Sequence, residues 1–484
     1  MSTRATKRIK RDSGELPVSF DLLALYKSDF GDRILSFASG ADLCTLEILN
    51  KQFNSLVTDD KWKVVTKDRF GMNNGKEGWK IGTSFLRPPT FVHNAGGYEG
   101  PDGGSPHVAA NENIIAYTSD FKVNSRASIE LRDASTLNTI NLRPSPINNW
   151  KVSICGRVGS EIIVTSNGRK ICAQRRVRIY NVQQLEFGTD SGCGIETIGC
   201  ETHLIAAHDG RIQLYEVNNE QHEDNNNTPE LLSLRKVIQV EGGTVDYDDE
   251  ELLEEKLAWG PDKTHFIVGY PHQICVWKLD AAKNEIASIK TITVPNWEVN
   301  NVALAEDYIV ASSNKDKKVH IWNRSTGDKM VYRETFAGVS YTYSYEQLCD
   351  VGCDEELWNA SHWPLQLSCH GRILVSTSHI GCALCIWDMK TGKLLKRHNE
   401  ADEQGVVQML PRGIFSEVTD MAYLQQLNAI LCMTAEYENM WVFPTNQRQL
   451  DMATSIWQRV EWGDLESDNE SGESIDDNHS ESDY

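Results

Sequence analysis

Twelve cysteines and thirteen histidines are the side chains with which this 484-residue chain could do metal or nucleophilic chemistry, and their spacing argues against it. Cys382 and Cys385 have Cys-x-x-Cys spacing, but they fall in a β-type run. Residues i and i+3 of a strand point to opposite faces and cannot share a metal without a bulge. Cys349 and Cys353 sit in a polar insert with no matching second pair, whereas structural zinc needs four ligands. The histidines are scattered singly, which suits satisfied or exposed side chains. There is no Gly-x-x-x-x-Gly-Lys phosphate loop, no Gly-x-Ser-x-Gly elbow and no His-Glu-x-x-His. The expectation is a non-catalytic protein with no catalytic residues, no metal and no cofactor. One string could bind rather than react: Arg175, Arg176 and Arg178. In a strand Arg176 and Arg178 share a face with Arg175 opposite, and Arg forks suit a phosphorylated or acidic peptide. The favoured reading is plainer, an exposed strand edge whose charges blunt aggregation.

The elements that must position these residues divide the chain. Residues 1–18 are a basic, polar leader in which Lys7, Arg8, Lys10 and Arg11 cluster, either a nuclear import signal or a solvated end. With no apolar run behind it, the leader is not a secretory signal. No stretch approaches the ~18 to 20 consecutive apolar residues of a membrane-spanning helix, so no membrane partner is expected. A cytoplasmic or nuclear location is expected, with the cysteines as free thiols. The net charge is −21, and nine Asp or Glu with no Lys or Arg lie between Asp464 and Tyr484. That sign argues against a nucleic-acid partner. Residues 461–484 read as an acidic disordered tail. There Ser467, Ser474 and Ser480 each have an acid three residues on, the pattern of acid-directed phosphorylation, although a solubilising tail is the plainer reading.

Residues 19–71 have a helical pattern. Asp42 is placed to cap a helix with apolar positions at Leu43, Leu46, Leu49 and Phe53, one stripe on one face. A polar turn at 58–61 precedes Trp62. Residues 72–104 read as a linker and the entry to a β-rich region. From about Phe91 onward short β-branched runs alternate with Gly, Asn, Asp and Ser turns, the all-β signature. One unit recurs: an apolar strand, a polar turn, and a second strand closing on an aromatic. The clearest copies are Tyr308–Met330 and Ile373–Leu395, with Leu204–Val217 and Phe266–Leu279 close behind. Weaker copies bring the closing positions to seven: Arg132, Tyr180, Tyr215, Trp277, Trp322, Trp387 and Phe443. Units of roughly 40 to 45 residues suit the four-stranded blade of a propeller. Polar inserts at 218–255 and 334–363 map to loops.

The repeats resemble the WD-repeat family, in which each blade ends on a Trp-Asp pair. Trp387-Asp388 matches in full; Trp322-Asn323, Tyr180-Asn181 and Tyr215-Glu216 are near matches, and Arg132-Asp133 keeps the acid. The resemblance implies a blade-bracing network in which an Asp six residues before the closing aromatic takes part, the place of Asp209 and Asp316 here. Trp277, Trp322, Trp387 and Asp388 would brace their blades in the same way. Pro271 and Gly381 stand at the Asp position before Trp277 and Trp387, and no Gly-His dipeptide occurs, so the bracing is incomplete. The fold expected is mainly β, a seven-bladed WD-repeat-type β-propeller over 105–460, preceded by a small all-α domain.

That helical segment resembles an F-box. The ordered matches are Ile34 and Phe37, Asp42-Leu43, Leu46, Leu49, Lys51 and Phe53, then Trp62. The family's opening Leu-Pro is absent, with Tyr26-Lys27 near its place. An F-box joined to a propeller implies the substrate-recognition subunit of a cullin-RING (SCF-type) ubiquitin ligase. Its partners would be a Skp-type adaptor, the cullin scaffold indirectly, and an unknown substrate protein. Ile34, Phe37, Leu43, Leu46, Leu49, Phe53 and Trp62 would form the adaptor surface or the core beneath it. The alternative is a propeller scaffold outside ubiquitin pathways, for a chromatin or RNA-processing assembly, with a helical N-terminal cap.

Overall fold

A computed structural model describes residues 59–87, 89–94, 107–123, 126–144, 147, 151–176, 182–187, 194–219, 230–241, 255–294, 299–313, 318–330, 334–336, 339–341, 367–377, 383–391, 393–399, 418–434, 438–452 and 454–455. The chain divides into two units, Met1–Trp79 and Lys80–Tyr484. In the first, helix α1 (Asp59–Phe70) begins inside the stretch read as a turn. Asp59 and Asp60 in its first turn and Lys67 and Arg69 in its last complement the helix dipole. Trp62 is buried, with the Trp79 ring 6.0 Å away and the Lys76 ammonium 5.9 Å from its ring centre. Helix α2 (Gly75–Ser84) lies within the stretch read as linker. The Thr66 hydroxyl donates to the Gly75 carbonyl at 2.8 Å, and a Cβ on Gly78 would meet Thr66 at 2.9 Å, so α2 starts hard against α1. The six earlier residues of the apolar F-box-like series, Ile34 to Phe53, lie outside the described residues.

The second unit is a seven-bladed β-propeller. Each blade is an antiparallel sheet whose strands succeed one another outward in chain order, except the last. The innermost strands are Val108–Ala110, Lys151–Cys155, Glu196–Gly199, Lys256–Trp259, Val299–Leu304, Leu367–His370 and Val418–Leu424. Each touches the next, and the seventh touches the first, so they close a ring. The seventh blade takes its outermost strand from far upstream: Thr90–Asn94 pairs antiparallel with Glu438–Val442, Thr90 opposite Val442 and Asn94 opposite Glu438. Entry and exit of the domain are thus tied by one ladder. Among the described residues the fifth blade has three strands, with an isolated bridge between Trp322 and Lys329 beyond them. The 334–363 insert contains a short hairpin, Glu334–Phe336 with Val339–Tyr341.

Burial falls from the middle of each blade outward. The second and third strands are covered on both faces by neighbouring blades, so Ile162–Ser166 and His203–His208 are buried at every residue. Their sequences are continuous apolar runs rather than alternations, the pattern of a strand covered on both sides. The outer strands Val182–Glu186 and Leu232–Gln239 alternate or face solvent. Neighbouring blades interlock directly: Ile205, Ala207, Ile212 and Leu214 of the third pack with Phe266, Val268, Tyr270 and Trp277 of the fourth.

One register recurs in all seven blades. The closing residue pairs with a buried apolar residue, the second of its strand: Ile115–Arg132, Ile163–Gln174, Leu204–Tyr215, Phe266–Trp277, Ile309–Trp322, Leu374–Trp387 and Ile430–Trp441. Two residues beyond the closer, a backbone N–H returns to the carbonyl two residues before that partner. The seven bonds run from Ala134 to Asn113, Arg176 to Glu161, Val217 to Thr202, Leu279 to Thr264, Arg324 to Asp307, Met389 to Arg372 and Phe443 to Asn428, at 2.8–2.9 Å. This register moves two expected closers. Gln174 holds the position in the second blade, and Tyr180 lies outside the described residues. Trp441 holds it in the seventh, with Phe443 two residues on. In four blades a β-bulge falls immediately before the closer, at Arg132, Tyr215, Trp277 and Trp387. Such a bulge re-aims the side chain and tightens the strand twist.

The shared ladder sets an expectation. Removing residues 1–95 strips Glu438–Val442 of its partner and opens a hydrogen-bonding edge, which invites association. That chain should melt lower and elute as larger species in size-exclusion chromatography, whereas one beginning at Lys80 should keep the propeller's melting transition and form no larger species.

Candidate functional site

In an antiparallel blade the start of the innermost strand lies on the same face as the turn between strands two and three. On that face a belt of charged side chains crosses five successive blades. Asp420 belongs to the seventh blade, His107 immediately precedes the inner strand of the first, and Lys151, Glu196 and Lys256 begin those of the second, third and fourth. Each sits within or immediately before an inner strand, whose pairing fixes its backbone.

The belt is linked from blade to blade. The Asp420 carboxylate accepts from the Val108 N–H at 3.0 Å and lies 3.3 Å from His107 Nδ1. The His107 backbone exchanges hydrogen bonds with Thr118, 2.8 Å to its hydroxyl and 2.9 Å from its N–H. Glu196 receives the ammonium groups of Lys151 at 2.9 Å and Lys256 at 3.4 Å. These three side chains are only 12–20% exposed, so each depends on the pairing for what water no longer supplies. Burial, then the Lys151 charge, lower the pKa of His107 against the pull of Asp420. Burial also acts to raise the Asp420 carboxyl, but its bond to His107 and the nearby positive charge outweigh it and the pKa falls. Glu255, one residue before Lys256, is 4% exposed. It accepts the Gly210 N–H at 2.9 Å. Burial, with Asp209 and Glu196 adding, pushes its pKa up to about 7. The belt therefore holds fixed charges of both signs and one carboxyl that titrates near neutrality.

The residues expected to brace the blades are found in several settings. Asp209 and Gly210 both have positive φ, 49° and 68°, and make the tight turn between strands two and three of the third blade. The bond across to the fourth blade comes from the Gly210 N–H to Glu255. Asp316 lies outside the described residues. The Trp387 indole N–H donates to the Ser376 hydroxyl at 3.0 Å, a brace within the sixth blade. Asp388 accepts both arms of the Arg372 guanidinium, at 2.5 and 2.7 Å, and caps the adjoining turn through Lys390 and Thr391. Asp133 and Asn323 cap the equivalent turns, each accepting two backbone N–H groups. In these three blades the residue after the closer is a turn-maker. Trp322 is 4% exposed beside the His320 ring, and Trp277 stacks on Phe266 with its indole nitrogen buried without a protein acceptor. Arg132, in the place of an aromatic, lies 4.8 Å from the Tyr117 ring centre and bonds Glu130.

Arg175 and Arg176 do not lie on an exposed edge. Arg175 is 7% exposed and donates to the Asn218 carbonyl at 3.0 Å. Arg176 pairs at 3.4 Å with Glu161, which is fully buried. Arg178 lies outside the described residues, as do Cys349, Cys353 and Cys382. None of the belt residues stands out in the sequence; each is a single charge at a strand start, recognisable only once the blades are superposed on their closers.

No family model matches the chain, and no curated protein matches it in sequence. Among solved structures, the computationally designed Ika8 protein aligns with 72% of this chain and 99% of its own, at 14% identity and a TM-score of 0.38. The propeller assignment rests on the strand pairing. No described helix is long and apolar enough to cross a membrane.

Glu255 gives the site a pH signature. Its folded pKa lies above the ordinary carboxyl value of 4.5, so the native state holds the proton more tightly. Its contribution to stability is therefore greatest below that value and is lost as pH rises to about 7. Glu255→Gln keeps an acceptor for Gly210 and removes the titration. Thermal unfolding should show the variant several degrees more stable than wild type at about pH 8 and level with it at about pH 4.5.

Proposed function

We propose that this chain is a non-catalytic receptor subunit of a cullin-RING ubiquitin ligase. The propeller holds the protein to be ubiquitylated, and residues 19–71 dock on a Skp-type adaptor as an F-box. The observation that carries the reading is the joining, in one chain, of a closed seven-bladed propeller to an ordered apolar series from Ile34 to Trp62. A propeller fold is compatible with protein binding, because its rigid blades hold a broad surface in place with little ordering on association. The charged belt is the part of that surface best suited to recognition. Such a receptor does no bond chemistry. It raises the effective concentration of the target near the loaded ubiquitin-conjugating enzyme. A cytoplasmic or nuclear site of action belongs to the same proposal.

Two substitutions separate the halves. Leu43→Asp with Leu46→Asp should abolish co-purification with the Skp-type adaptor while leaving the propeller's thermal transition in place. Wild-type protein that never retains the adaptor would overturn the ligase reading and leave a scaffold outside ubiquitin pathways. In the propeller, Glu196→Lys reverses the charge that joins Lys151 and Lys256. Proteins captured by the wild type from its own cells should be lost from this variant, with adaptor binding retained; unchanged capture would move the recognition surface away from the belt.

A further inference from the structure

Away from the belt, on the opposite face of the propeller, a chain of four side chains from two blades leads to one thiol. Cys200 ends the approach to the turn between the first two strands of the third blade, with Thr202 and His203 just after it. Asn284 reaches them from the turn between strands three and four of the fourth blade, held at φ 55°. The Thr202 hydroxyl is 3.9 Å from the Cys200 sulfur and 2.8 Å from His203 Nδ1. His203 Nε2 is 2.7 Å from Asn284 Oδ1. Asn284 turns its amide nitrogen to the Glu216 carboxylate at 3.5 Å.

This network fixes the tautomer. Glu216 can only accept, so Asn284 presents its carbonyl oxygen to His203, and His203 must carry its proton on Nε2 to donate there. Nδ1 is left as a lone pair facing Thr202 and Cys200. A proton on the thiol then has a path through the Thr202 hydroxyl to an imidazole oriented to receive it, the arrangement that activates a cysteine. We propose that Cys200 is a modification site, a nucleophilic thiol that hydroperoxides oxidise to sulfenic acid. In that step the thiol proton passes to His203 Nδ1. The sulfur electron pair then attacks the terminal peroxide oxygen, an S–O bond forms, and the O–O bond breaks. The departing alkoxide or hydroxide takes the proton from the imidazolium, leaving Cys–SOH and an alcohol or water.

The surrounding charges favour the thiolate. Glu216 supports the imidazolium, Lys263 of the fourth blade interacts with the Cys200 charge, and Cys155 of the second blade lies near it. Burial alone would raise the Cys200 thiol, but its bonds to His203 and Thr202 outweigh that and lower it. Cys155, Cys172, Cys275 and Cys432 are all raised, each chiefly by burial. Cys200 is also the one of the five free cysteines with described side chains that is not buried. Partial exposure and a lowered pKa, the two conditions for selective oxidation, thus fall on the same residue.

The test uses the full chain. Hydrogen peroxide with dimedone as a sulfenic-acid trap, read by peptide mass spectrometry, should label Cys200 before Cys155, Cys172, Cys275 or Cys432. Iodoacetamide alkylation of Cys200, monitored against pH, should rise through a midpoint below the ordinary thiol value of about 8.5. His203→Gln should return that midpoint to the ordinary value and slow labelling at neutral pH by about tenfold. If that variant misfolds, Asn284→Gly, which suits the positive φ and removes the amide that orients the imidazole, should shift the midpoint in the same direction. A wild-type midpoint at or above the ordinary value, or equal dimedone labelling of the buried cysteines, would overturn the proposal.

Discussion

Everything in the propeller depends on closing the ring between its seventh and first blades. A blade covers its neighbours on both sides, so an open ring would leave two apolar sheet faces in water. The seam is held at two radii. At the outside, Thr90–Asn94 completes the seventh blade before the chain enters the first. At the inside, Asp420 reaches across to Val108 and His107. Neither device is large. The backbone ladder is worth modest net energy per bond. Both act on the contact whose opening would expose the most buried surface.

Closure also explains why the blades tolerate such uneven sequences. What recurs is the return bond from two residues past the closer, together with the buried apolar partner opposite it. The closer itself need only fill the space above that partner. Trp does so four times, Tyr215 once, and Arg132 by laying its planar guanidinium over Tyr117. Gln174, 2% exposed, does so in the second blade. Backbone geometry carries the repeat, and side-chain identity varies around it. Close approach is enforced as well: a Cβ on Gly199 would collide with the Ile154 carbonyl of the adjoining inner strand.

The same division decides what sequence can disclose. Seven units are legible because second strands covered on both faces must be continuous apolar runs, and these stand out between polar turns. The closer of the second blade is not legible, because Gln174 carries no aromatic signal and Tyr180 draws attention instead. In the seventh blade Trp441 and Phe443 are two residues apart, and a period of two cannot choose between them. Helix α2 is hidden for another reason. Three glycines in ten residues lower its propensity, and its packing on α1 supplies what the local sequence lacks. The belt is invisible before folding because its members, from His107 to Asp420, meet only through ring closure.

The two faces of the propeller use their charges differently. On the face of the outer turns, Asp133, Asp262, Asn323 and Asp388 are committed to backbone N–H groups of their own turns. Displacing those bonds would unfold the turns, so these side chains have little left to offer a ligand. On the belt face Lys151 and Lys256 are tied to Glu196 by ion pairs between side chains. Such a link can be exchanged for one from an incoming chain without disturbing a strand. Because the groups are already largely removed from water, the exchange costs little further desolvation. Glu255 adds a charge that is present or absent according to its surroundings near neutral pH. A partner that brings a cation beside it would favour the ionised form, and one that brings apolar surface would favour the neutral one. Glu255 is therefore a carboxyl whose charge depends on what is brought beside it.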